Sequence, residues 1–253
     1  MMLQEGLETK FHCAVVENIT NDNEKVYKNL SVKEMAEQTF NSPNILLMWT
    51  NTVENSEPLF GYADKYFHQR KPEKGLITKR EVRAVSLARM QLSVDSIVWD
   101  IGAGSGSVGL EAARIASKGH VYAIEKNEPD LENIEQNRLK MGITNYSLFH
   151  GKAPQYTENW QNPDAIFVGG SGGELAELIS TGLSRLNQNG WLIMNFVTFE
   201  NLSDAISTLK ENNAVWDVTQ LQTSRSQPIL HMNRLAAENP VWIVSAQRCE
   251  SEN

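Results

Sequence analysis

The stretch "VWDIGAGSGSVGLEAA", Val98 to Ala113, sets a run of glycines between an apolar strand pattern and a helical one, and its reading decides the fold. A glycine turn at such a junction turns backbone N–H groups and a helix N-terminus toward a nucleotide. Two patterns overlap here. Gly104-x-Gly106-x-x-Gly109 fits a dinucleotide fingerprint, with Glu125 at about the 20-residue distance of a ribose-binding acid. Asp100-x-Gly102-x-Gly104-x-Gly106 is the pattern expected around S-adenosylmethionine.

Working outward, apolar runs alternate with helical patterns. Strands are predicted over 96–101, 120–125, 146–150, 164–168, 191–197, 215–223 and 241–247, and helices over 107–117, 128–140, 173–186 and 200–212. Alternation of this kind implies right-handed crossovers and a parallel α/β sheet, here of seven strands. The last two strands are separated by "SRSQPILHMNRLAAEN", which has no helical pattern, so they are expected to close the sheet edge as an antiparallel pair. Upstream, 12–19 and 44–49 read as strands and 31–40 as a short helix. Such an extension is too short for an ordinary independent core and is expected to extend the sheet or to make an oligomer contact. The predicted division is 1–58 and 59–253.

With 253 residues, 41% apolar and 21% charged, the chain is long enough for one large domain and an appendage. A net charge of −8 disfavours nucleic-acid partners, which are usually met by basic surfaces. The two cysteines, Cys13 and Cys249, lie near opposite ends, which indicates neither a disulfide framework nor a metal site. "MMLQEGLETKFH" has no apolar signal core and no window approaches the ~18 apolar residues of a membrane span, so a cytoplasmic location is expected.

Asp100 discriminates between the two nucleotides. A carboxylate beside the turn repels a pyrophosphate, but it can orient the loop or, through water, an ammonium group. Glu125 can accept from both ribose hydroxyls of either cofactor. The polar turn "HGKAP" at His150–Pro154 lies where an adenine edge would sit, and "VGGSGG" follows the fourth core strand. Together these favour the methyl donor.

"GLITKREVRAVSLARMQL", followed by the opening stretch and by "VYAIEKN", "GKAPQ", "DAIFVGGSGGELAEL" and "NPVWIV", resembles the cobalamin-pathway precorrin methyltransferases that methylate carbon 15 and decarboxylate the ring C acetate. The resemblance covers roughly 60–247. It implies a class I S-adenosylmethionine-dependent methyltransferase with a Rossmann-like seven-stranded sheet, last strand antiparallel, a tetrapyrrole substrate, S-adenosylhomocysteine as product and a homotetramer. "CAVVENITNDNEKVYKNLSVKEMAEQTFNSPNILLMW" is similar to the end of the carbon-5 precorrin methylase, which is often fused upstream and is thereby a possible partner.

The donor is expected on Thr78, Asp100, Gly102, Ala103, Gly104, Ser105, Gly106, Glu125, Lys126, Gly151 and Ala153. The acceptor is expected on Lys79, Arg80, Arg83, Gly169, Gly170, Ser171, Gly172 and Asn195. Thr78-Lys79-Arg80-Glu81 has capping-box spacing, which predicts a helix from Thr78 with Val82, Val85 and Met90 inward. Its cations sit where the helix dipole disfavours them. Eight basic residues against two acidic ones from Lys65 to Arg89 make this region a candidate receptor for carboxylates. At Gly169–Gly172 bare backbone replaces the Asn/Asp-Pro-Pro-aromatic clamp of amino-group methyltransferases, and leaves room for a broad planar macrocycle. His68, His150 and His231 are candidate proton donors. The polar loop 225–239 could be a lid or an exposed connection, with Arg225 and Arg234 within reach of carboxylates. Two alternatives remain: an RNA or protein methyltransferase of the same fold, and a non-catalytic donor-binding partner of a carbon-5 methylase.

Overall fold

The computed structural model describes residues 11–50, 58–70, 77–170 and 173–249. The chain divides into two compact units, Met1–Glu57 and Pro58–Asn253.

The first unit is a three-stranded antiparallel sheet of β1 (His12–Glu17), β2 (Lys25–Ser31) and β3 (Asn44–Trp49), in the order β2-β1-β3. Helix α1 (Val32–Ala36) starts at a capping box: Ser31 Oγ accepts from Glu34 N at 3.1 Å, and Glu34 Oε2 accepts from Ser31 N at 2.8 Å. Buried Glu17 accepts from Asn41 N and Nδ2 at 2.6 and 3.0 Å. The expected sheet extension is corrected: β1, β2 and β3 form a three-stranded sheet of their own. β2 escapes the hydrophobic pattern because "KVYKNLS" is largely exposed and is held by main-chain pairing.

The second unit carries α2 (Arg80–Met90), β4 (Ile97–Ile101), α3 (Ser107–Ile115), β5 (His120–Glu125), α4 (Glu128–Met141), β6 (Tyr146–His150), β7 (Ala165–Val168), α5 (Leu175–Arg185), β8 (Trp191–Phe196), α6 (Phe199–Glu211), β9 (Val215–Leu221), β10 (Ser224–Ile229), β11 (Met232–Ala237) and β12 (Val241–Gln247). Seven of these strands form one sheet in the order β6-β5-β4-β7-β8-β12-β9. All neighbours are parallel except β12, which is antiparallel to both β8 and β9. The central strands are buried on both faces, as parallel strands covered by crossover helices must be. Alternate residues supply the two cores. Val98, Ala123 and Phe167 pack against α2, α3 and α4 through Leu87, Leu110 and Ile134. Trp99, Ile101, Ile166 and Met194 pack against α5 and α6 through Ile179, Leu183 and Leu209.

Two expectations are corrected in this unit. The helix predicted from Thr78 begins at Arg80, and Lys79 takes the N-cap position without a side-chain cap bond. The Glu81 carboxylate that would close the box is instead bonded by the guanidinium of Arg225, an ion pair in place of a bond to a backbone N–H. Val82 and Met90 are buried as expected, while Val85 is half-buried. The segment read as a polar loop is the hairpin β10–β11, turning at Leu230 with φ 53°.

Candidate functional site

Strand order reverses at β4, whose neighbours β5 and β7 are reached in opposite directions, and a pocket opens at the carboxyl ends of these strands. Its floor is the glycine turn between β4 and α3. Gly102, Gly104 and Gly106 adopt φ of +72°, +59° and +73°, a region open to glycine at little cost. A Cβ on Gly102 would stand 2.6 Å from Gly170 O, so the turn and the segment after β7 meet backbone to backbone. Gly102 N and Ala103 N donate to Ile124 O at 3.0 and 3.2 Å, which ties the turn to β5.

Glu125 ends β5 and is 4% exposed. Its Oε2 accepts from Gly104 N at 2.8 Å, and its Oε1 accepts from Asn127 N and Nδ2 at 2.8 and 2.9 Å. A carboxylate offers about four acceptor positions, so three are committed to shaping the loop. The expectation that Glu125 takes both ribose hydroxyls is therefore narrowed to one free position unless a loop donor yields.

Asp100 lies beneath the turn, 1% exposed, with Oδ2 accepting from Gly109 N at 3.1 Å and Oδ1 without a partner. A Cβ on Gly109 would stand 2.3 Å from that oxygen and 2.9 Å from the Tyr146 ring, which explains the third glycine of the dinucleotide-like pattern as a packing requirement. Burial, with a smaller contribution from the Glu125 charge, pushes the Asp100 carboxyl up to about 7 against the pull of the Gly109 N–H. The native state thus holds this proton more tightly than the unfolded chain. The proton's contribution to stability is full below about pH 4 and is lost as pH rises toward 7. Asp100→Asn is expected to match wild type near pH 4 and to gain relative stability up to pH 7. Urea unfolding across that range checks this; a difference independent of pH would show that Asp100 stays ionised.

Of the residues singled out in the sequence, Gly102, Gly104, Ser105, Glu125, Lys126, Gly151, Ala153, Gly169 and Gly170 line the pocket. Asp100, Ala103 and Gly106 build the turn without lining it, and Thr78 adjoins the lining residue Ile77. Lys79 is half-buried and Arg80 exposed at the start of α2. Asn195 on β8 is hydrogen-bonded to Ser86 Oγ of α2 at 3.0 Å. Ser171 and Gly172 lie outside the described residues, as do Lys71 and Lys74 of the basic cluster.

Arg83 is corrected. Its side chain is fully buried, with Nε on Glu111 Oε1 at 2.9 Å, Nη1 on Thr78 O at 2.6 Å and Nη2 on Tyr62 O. It cannot meet a macrocycle. Arg225 likewise spends its guanidinium on Asp64 Oδ2 at 2.7 Å and on Glu81, while Arg234 is exposed on β11. His68, His150 and His231 are all exposed; His68 is held through its backbone, and His150 Nε2 lies 3.2 Å from Lys126 O. Among the described residues no group of three or more His, Cys, Asp or Glu side chains could hold a metal.

Sequence reading missed Asn127, which holds Glu125, and Asn137, whose Nδ2 donates to both Ser105 O and His68 O at 2.9 Å. It also missed Asp130, which lines the pocket 2.8 Å from Arg70 of the expected basic cluster, and Glu111. Glu111 alone carried a signal: an acid within the buried run "VGLEAA" demands partners.

Strand order, the antiparallel β12 and a glycine-floored pocket at the carboxyl edge define the class I methyltransferase fold. An S-adenosylmethionine-dependent O-methyltransferase of Thermotoga maritima shares it at 15% identity and a TM-score of 0.62, over 99% of this chain and 98% of that one. Residues 71–248 match the precorrin methyltransferase domain model, and the chain belongs to that family. It is 36% identical, over 69% of its length and 91% of the relative's, to the cobalt-precorrin-6B C(15)-methyltransferase (decarboxylating) of Salmonella typhimurium. The crystal structure of a precorrin-6Y C5,15-methyltransferase from Geobacter metallireducens matches at 34% identity and a TM-score of 0.72, over 77% of this chain and all of that one.

Proposed function

We propose that this chain transfers a methyl group from S-adenosylmethionine to carbon 15 of a precorrin and decarboxylates its ring C acetate. The observation that carries the reading is the convergence of the glycine turn, Glu125 and the Gly169–Gly170 backbone on one pocket. The residues fit the donor. Glu125 keeps an acceptor position for a ribose hydroxyl, Ser105 Oγ is buried without a partner, and Gly151 and Ala153 offer backbone and a small side chain beside the nucleoside. When bound, the donor supplies an electrophilic methyl on a sulfonium.

The chain's own part is positioning, which supplies up to about 7–11 kcal/mol in well-oriented systems. Among the described residues nothing lies within 4 Å of where a Gly170 Cβ would be, so a flat acceptor can approach over that backbone. Loss of carbon dioxide from an acetate leaves an electron pair that the conjugated macrocycle accepts, so the protein need not generate a carbanion sink. Lys79 and Arg80 stand at the α2 start as candidate contacts for the acceptor's carboxylates, with Asn195 at the adjacent strand end.

The exposed hairpin side chains Leu230, Met232 and Leu235 support self-association; its reading as a tetramer, and contact with a carbon-5 methylase, rest on the family resemblance. Among the described residues no helix is long and apolar enough to cross a membrane. The test is incubation of the purified chain with labelled S-adenosylmethionine and a precorrin-6 substrate. A product heavier by one methyl and lighter by one carbon dioxide is expected; methylation of bulk tRNA at a comparable rate, without the tetrapyrrole product, would overturn the assignment.

A further inference from the structure

Residues 58–70 form a strap fastened to three helices in turn. Gly61 N and Tyr62 N donate to the two oxygens of Glu111 on α3 at 2.8 and 3.0 Å. The Arg83 guanidinium of α2 lies 4.9 Å over the buried Phe67 ring. The His68 backbone is clasped by Asn137 of α4, with His68 N donating to Oδ1 at 2.7 Å and His68 O accepting from Nδ2 at 2.9 Å. Asn137 also grips Ser105 O of the glycine turn, so strap and pocket floor share one anchor.

Two residues beyond that clasp the strap brings Arg70 to the pocket wall. Arg70 Nη2 lies 2.8 Å from Asp130 Oδ2, and Asp130 is buried in the first turn of α4. Arg70 Nε is buried and has no hydrogen-bond partner among the described residues, while about a third of the side chain remains open. Two other cations of that basic stretch fare differently: Arg83 is buried in its own ion pair, and Arg89 is spent on Asp217 and Thr219 at 2.8 and 2.7 Å. Lys152, also at the pocket, is paired with Glu174 at 2.6 Å. A guanidinium paired with one carboxylate, with about a third of its side chain open at a cavity wall, offers its outer N–H groups to a planar anion.

We propose that Arg70 is the carboxylate-binding residue of this pocket and that Asp130 holds its orientation. The inference rests on the function proposed above, in which two ligands bring carboxylates: the amino-acid end of the donor, and the acetate and propionate arms of the acceptor. Both present the same chemistry to Arg70.

The experiment is calorimetry on the full chain, wild type and Arg70→Gln, with S-adenosylhomocysteine and with 5′-methylthioadenosine, which keeps the nucleoside thioether but lacks the carboxylate. The acceptor KM is measured in the methylation assay alongside. Weakening of S-adenosylhomocysteine by about tenfold or more with methylthioadenosine unchanged assigns Arg70 to the donor carboxylate. Unchanged S-adenosylhomocysteine binding with an acceptor KM raised by about tenfold at constant kcat assigns it to the acceptor. Arg70→Lys, which keeps the charge and loses the fork, is expected to recover only part of either loss. No change in either quantity overturns the proposal, and so does an equal loss of methylthioadenosine, which would make Arg70 structural. Wild type that binds neither nucleoside would remove the donor reading first, and this inference with it.

Discussion

Glu111→Ala is expected to lower the free energy of unfolding by about 3–5 kcal/mol, the usual cost of breaking a buried ion pair from one side. Glu111 and Arg83 are both fully buried and meet at 2.9 Å. Removing the carboxylate leaves the guanidinium with Thr78 O, Tyr62 O and a longer contact to Asp64 at 3.4 Å, and strips the acceptor from the N–H groups of Gly61 and Tyr62. Urea unfolding reads the effect as a lower midpoint. Replacing both partners, Arg83→Met with Glu111→Leu, is expected to cost less than the two single changes combined, because no unpaired charge remains buried, although the backbone groups of Gly61, Tyr62 and Thr78 lose their partners. A single-variant effect below about 1 kcal/mol would show that water reaches Arg83 and that the pair is not a true interior one.

Glu125→Ala is expected to weaken donor binding by about 2–4 kcal/mol, one lost charge-assisted bond to the ribose plus disorder of a loop built on the same carboxylate. The second contribution comes from the structure: Gly104 N, Asn127 N and Asn127 Nδ2 all converge on Glu125. Glu125→Gln keeps the size and one acceptor oxygen and should fall between wild type and Ala. Calorimetric titration with S-adenosylhomocysteine checks both, and unchanged affinity in Glu125→Ala would remove the residue from the donor site.

The strands over 120–125, 146–150 and 241–247 agree with the sequence pattern to the residue, because in each an apolar run ends sharply at glycine, asparagine or charge. Helix ends were less legible. At α2 the capping-box spacing was present, yet the distant Arg225 captured Glu81, and no local pattern contains a partner 144 residues away. The hairpin β10–β11 was hidden for a related reason: its residues face solvent and include Pro228, so its strands rest on main-chain pairing rather than on an apolar face. The pocket floor was readable because glycine spacing and a terminal acid are local features. Its walls were legible only in part: the basic stretch contains Arg70, but Asp130 and Asn137 gain meaning only when the strap, α4 and the turn meet. Arg83 shows the opposite error, where a cation in a basic stretch was given to the surface although the fold buries it.

The place of β12 in the sheet has a consequence for biogenesis. β9 leaves the ribosome first but has no partner until β12 follows and slides between it and β8. Until then the nascent chain carries an unsatisfied edge on β8, which is otherwise covered by α5 and α6 packed on one face. Such an edge is a template for pairing with other chains.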